Sequence, residues 1–120
     1  MTLEDIQDYC RSLTGTTEDL KWGANLVFSV GGKMYALLSL DDQPSVRLSF
    51  KATPQEAAAL ISHTDIIPAP YLAKHDWVTF LHLSVFPEKE TKALLKSAYD
   101  QVFAKLTKKL QTKIKAVAPE

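Results

Sequence analysis

The sequence predicts an α+β fold, a single antiparallel sheet packed against a helical layer with elements in the order α-βββ-α-β-α. Three observations carry the prediction. Two β-rich runs flank Gly31-Gly32 in "NLVFSVGGKMYALLSL"; "ATPQEAAALIS" has every mark of a helix start; and Leu95, Tyr99, Val102, Leu106, Leu110, Ile114 and Val117 recur at helical spacing.

The elements follow in chain order. Leu3, Ile6, Cys10 and Leu13 step along one face, with Thr2 and Asp5 in the places of a capping box, so a first helix is expected up to about Gly15. Glu4, Asp5 and Asp8 near its start suit the helix dipole. Two adjacent glycines are what a tight hairpin with positive φ requires, so a strand pair turns at Gly31-Gly32. "DDQP" reads as a turn into "SVRLSF", where Val46, Leu48 and Phe50 alternate with Ser45, Arg47 and Ser49. That period of two predicts one buried face and one that is wet or covered by a partner. Thr53 as cap, Pro54 at the first helical position and Glu56 closing the box open a second helix, with Ala57, Leu60 and Ile61 on one face.

Pro68 and Pro70 then fix their own φ and force the residues before them out of helical conformation. "PAPY" is therefore expected to end the second helix and to carry the chain to the sheet as a stiff strut. Tyr71 and Trp77 stand at either end of the polar corner "AKHD" and would pin the connection to the core or frame a ligand. A strand from about Trp77 to Leu83 and one long amphipathic helix from Pro87 complete the plan, with residues 115–120 a frayed tail of one 120-residue domain.

The net charge is zero, which argues against a protein devoted to gripping nucleic acid nonspecifically. The charge is unevenly spread: residues 1–20 hold one basic and five acidic side chains, and residues 88–120 hold eight basic and four acidic. The acidic start is unlike an export signal and no apolar run is long enough for a membrane span, so a cytoplasmic protein is expected. Cys10 has no partner for a disulfide within the chain.

Enzymatic chemistry finds little support. Cys10 falls on the apolar face of a helix, no serine stands in a nucleophile-elbow pattern, and Gly31-Gly32 is a hairpin rather than a phosphate loop. His63, His75 and His82 have no recognised zinc spacing. A non-enzymatic protein without metal or cofactor is the expectation.

The blocks "FSVGGKMYALLSL", "SVRLSFKATPQEAAAL", "IIPAPYLAKHDWVTFLHL" and "LLKSAYDQVFAKLTKK" occur in the order seen in the MmcQ/YjbR family of small bacterial proteins, which the chain resembles over nearly its whole length. The family pattern falls on Trp22, Gly32, Lys33, Lys51, Pro68, Pro70, Tyr71, Lys74, Trp77 and Tyr99; "SAY" departs from it by separating Ser97 from Tyr99. The resemblance implies a double-wing, frataxin-like α+β architecture and DNA as a partner. Kinship to frataxin also makes Glu4, Asp5 and Asp8 a minor candidate for a hard cation.

For DNA the candidate contacts are Lys33, Arg47, Lys51 and Lys74 to phosphates, with Tyr71 or Trp77, and secondarily Tyr35, available to stack. Lys105, Lys108, Lys109, Lys113 and Lys115 form a second basic run, read as the solvated face of the last helix. The competing expectation is a protein partner on the exposed sheet face or the long helix. Neither oligomeric state nor strand preference follows from the sequence.

Overall fold

The computed structural model describes residues 1–41, 45–70 and 72–116. Helix α1 (Leu3–Ser12) carries the expected capping box: the Asp5 amide donates to Thr2 Oγ1 at 3.1 Å, and the Thr2 amide donates to the Asp5 carboxylate at 2.8 Å. It stops at Ser12, short of Gly15, and the chain enters a strand the sequence did not announce, β1 (Thr16–Lys21). Only one large apolar residue, Leu20, lies in β1, and it is exposed, so neither alternation nor hydrophobicity marks the segment.

Strands β2 (Asn25–Val30) and β3 (Lys33–Ser39) turn on Gly31 and Gly32, both at positive φ (59° and 79°), as the hairpin reading required. Strand β4 (Arg47–Lys51) follows; the "DDQP" turn falls largely on residues 42–44, outside the described residues. Helix α2 (Pro54–Leu60) has the Thr53–Glu56 box in place. It ends well before Pro68, so "PAPY" is not what stops it. His63 and Asp65 make the turn, with the Asp65 amide donating to His63 Nδ1 at 3.0 Å, and β5 (Ile66–Pro68) begins there. A 3-10 turn (Ala73–His75) leads into β6 (Trp77–Phe80), shorter than the expected strand to Leu83. The six strands are antiparallel throughout, in the order β1-β2-β3-β4-β6-β5.

The expected single last helix is two, α3 (Glu88–Ala104) and α4 (Lys108–Ala116). Thr107 caps the second, accepting from the Leu110 amide at 3.2 Å, and the Gln111 side chain donates to the carbonyls of Phe103, Ala104 and Leu106 at the end of the first. The apolar stripe runs through this break without changing period, which is why periodicity could not show it. The expected frayed tail falls mainly on residues 117–120, outside the described residues; Lys115 and Ala116 are helical.

Ile6 and Cys10 of α1, Leu95 and Ala98 of α3, and Leu106 and Ile114 beyond them are buried against one face of the sheet, which contributes Phe28, Leu38, Leu48, Phe50, Val78 and Phe80. Phe50 and Phe80 meet edge to face at 5.2 Å. At Gly31 a Cβ would come within 2.6 Å of Leu106 Cδ1, so glycine serves both the turn and the docking of the α3–α4 elbow.

One irregularity sets which way the hairpin tip faces. Phe28 pairs with Ala36 but Ser29 pairs with Met34, so Tyr35 is the extra residue of a β-bulge. Tyr35 and Ala36 both join the helix-side core, and Tyr35 donates to or accepts from Thr16 Oγ1 at 2.9 Å while meeting the Tyr99 ring edge to face. Before the bulge, Met34 lies on the sheet's second face.

The second face, expected to be wet or covered by a partner, is covered in part by the chain itself. Val27, Leu37, Ala69 and Trp77 form a separate buried cluster joined by Met34 and Leu72. Ser49 and Thr79, also buried there, bond to each other at 2.7 Å. The connector between β5 and β6 places Ala69 and Leu72 over the sheet, where they cover its centre. Ala69 donates to the Trp77 carbonyl at 3.0 Å, and Asp76 at φ 64° reverses the chain into β6.

Candidate nucleic-acid interface

Lys33 leaves the Gly31-Gly32 turn, Lys51 ends β4 beside Trp77 on β6, and Lys105 follows the last turn of α3. These three separate elements meet at one end of the sheet. Their lysines line a groove of about 440 Å³ with Met34, Leu72 and His75 along its wall. Lys33 and Lys105 are exposed and Lys51 is half-buried. The Lys51 ammonium donates to the His75 carbonyl at 2.9 Å, which ties β4 to the connector.

The electrostatics follow from this geometry. Burial holds the Lys51 ammonium below its ordinary 10.5, and the charge of Lys105 presses it down further, opposed by Asp76. Folding has placed like charges close enough to feel each other. Such an arrangement disfavours the empty groove and favours an anion in it.

The remaining expected contacts divide. Lys74 is exposed on the 3-10 turn, next to the residue whose carbonyl Lys51 holds. Arg47 starts β4, at the other end of the strand from Lys51, and lines a different pocket beyond Met34 and Leu72. The four basic residues therefore do not form one patch. Trp77 is only 5% exposed and Tyr35 is fully buried, so neither ring can stack on a base; each is a core side chain. Tyr71 lies outside the described residues.

Lys105, read from the sequence as part of a solvated helix face, joins the groove because α3 ends there. Thr107 followed by "KKL" was the available signal of that end. Lys108, Lys109, Lys113 and Lys115 are exposed on α4, with Lys115 Nζ 5.6 Å from the Phe103 ring centre. Ser97 and Tyr99 act apart: Ser97 donates to the Glu56 carboxylate that caps α2, whereas Tyr99 donates to the Thr14 carbonyl.

Of the acidic residues Glu4, Asp5 and Asp8 at the start of α1, Asp5 is engaged in capping. Thr2 holds the Asp5 carboxyl below its usual range through its backbone and side-chain hydrogen bonds, and among the described residues no three His, Cys, Asp or Glu side chains are grouped to hold a metal. Cys10 is buried, which pushes its thiol up to about 12. Among the described residues no helix is long and apolar enough to cross a membrane.

The fold has close counterparts. A crystal structure of the Deinococcus radiodurans protein DR2400, described as a DUF419 domain, is 28% identical with a TM-score of 0.84, over 99% of this chain and 91% of that one. A Pseudomonas syringae protein of known structure is 24% identical with a TM-score of 0.71, over 85% of this chain and 99% of its own, and shows the shared fold. No curated protein matches the chain. The family match spans residues 11–101, from the end of α1 through most of α3, and so takes in the hairpin, the connector and two of the three groove lysines, Lys33 and Lys51, with Lys105 just beyond it: the chain belongs to the YjbR family.

Proposed function

We propose that the protein is a non-enzymatic cytoplasmic DNA-binding protein that grips phosphates with the groove at the sheet's end. The convergence of Lys33, Lys51 and Lys105 from three elements supports this reading. Lysine is a mobile point charge suited to phosphate oxygens, and the groove's apolar wall lowers the local dielectric that such contacts feel. Arg47 contributes no phosphate contact, and no aromatic ring among the described groove residues stacks. The mode is therefore backbone contact rather than base readout.

Fluorescence anisotropy of a labelled duplex tests it. Three phosphate contacts predict a loss of affinity of about 40-fold between roughly 50 and 200 mM salt. Replacing Lys33, Lys51 and Lys105 together by Gln should flatten that dependence, whereas Lys109→Gln with Lys113→Gln on α4 should leave most of it. Absence of binding at the lower salt, or an unchanged salt dependence in the triple variant, overturns the proposal.

A further inference from the structure

The second face of the sheet holds a pocket that the lysine groove does not use. It has a volume of about 580 Å³, the size of small-molecule sites. Leu37 and Met34 from the sheet and Ala69, Pro70 and Leu72 from the connector make it apolar. Asn25, Ser39 and Arg47 gather at the end away from the lysine groove. Arg47 is the one charged side chain among the described residues that line it.

Trp22 also lines the pocket, and its conformation is costly. It occupies the β1–β2 turn at φ 51°, a left-handed backbone position that a bulky aromatic rarely takes and that Asn or Gly would take cheaply. Burial does not explain the choice, because the residue is 67% exposed. Strain of this kind collects at binding sites, and this strained aromatic borders a preformed cavity.

We propose that this pocket binds a small aromatic monocarboxylate. The flat ring lies between the Trp22 indole and the sheet floor of Met34 and Leu37, and the carboxylate reaches Arg47. A guanidinium carries five N–H donors in a planar fork, so it can serve a ligand carboxylate together with an acceptor from the protein. Ser39 supplies a hydroxyl beside it; its Oγ donates to Asn25 Oδ1 at 3.1 Å, which holds both side chains at the pocket's polar end. The cover is built in, since Ala69 and Leu72 are already packed on the sheet. A preformed pocket of this kind gives up little freedom on binding.

The test is a titration of the isotope-labelled protein followed by amide and indole NMR shifts, with 1-naphthoate as probe and neutral 1-naphthamide beside it. Naphthoate should produce saturable shifts at the Trp22 indole and at Leu37, Ser39 and Leu72, and naphthamide should bind at least about tenfold more weakly, the worth of one charge-assisted contact. Trp22→Gly should weaken naphthoate by about tenfold or more while the thermal midpoint stays level or rises, because the strain is gone. Arg47→Lys keeps the charge but loses the fork, and should weaken naphthoate toward the level of the amide. No saturable shift at millimolar naphthoate, saturation away from these residues, or equal affinity for the amide would overturn the proposal.

Discussion

Glu18 shows how a single side chain on an unpromising strand secures an edge. Arg11 of α1 donates to both its oxygens, at 2.6 and 2.9 Å, and Gln7 adds a third bond at 2.9 Å. The Arg11 hydrogen bond dominates and holds the Glu18 carboxyl below its ordinary 4.5. A lowered carboxyl stabilises the fold above the unfolded value and loses that contribution as pH falls through the folded one. Arg11 is more than half exposed, so solvent screening limits the effect to at most about 1 kcal/mol. Glu18→Gln should therefore lower the unfolding free energy measured in urea at pH 7 by that small amount, and the deficit should shrink as the pH falls below 4.5. A deficit that persists undiminished in acid would show that the fork is not its source.

Elements differ in how plainly their residues announce them. Helices α1 and α2 were legible because a cap is a local chemical pattern, Thr followed three residues on by Asp or Glu, and the structure realises both. The β2–β3 hairpin was legible because only glycine takes two successive positive φ values cheaply. Strands β1 and β5 were not, since each is held by pairing with a distant neighbour, β1 to β2 and β5 to β6, and carries little pattern of its own. The basic groove was half legible. Lys33 and Lys51 follow from strand ends, but Lys105 needs the helix break and Arg47 needs the knowledge that β4 is long enough to separate it from Lys51. The elbow between α3 and α4 depends on Gly31: Gly31→Ala places a methyl against Leu106 at positive φ, and should cost about 1–3 kcal/mol in thermal or urea unfolding. Adding Leu106→Ala should not sum with it, because the clash is then absent; simple additivity would mean the elbow does not press on the turn.

At the scale of the whole molecule, the sheet is covered twice, by helices on one side and by the chain's own connector on the other. The expectation of a second face wet or covered by a partner missed the chain's own connector, because alternation reports which residues share a side, not what lies over them. Cys10, fully buried under the helical layer with its thiol pushed up to about 12, samples the opening of this assembly. Iodoacetamide should leave it unlabelled in native buffer and should modify it in step with unfolding as urea rises. Labelling of the native protein at the rate of a free thiol would place Cys10 in a region that opens independently of the rest.

The single extra residue at Tyr35 governs more than the packing of its own ring. Were it to take a regular place in the ladder instead, strict alternation back from Ala36 would exchange the two residues before it: Lys33 would swing toward the connector and Met34 toward the end of α3. The charge that borders the groove and the thioether that walls off the aromatic pocket would each arrive at the other's address. A chain shortened by one residue at this point would instead run as a regular ladder with Met34 and Lys33 on their present sides, and would lose only the Tyr35 ring from the core.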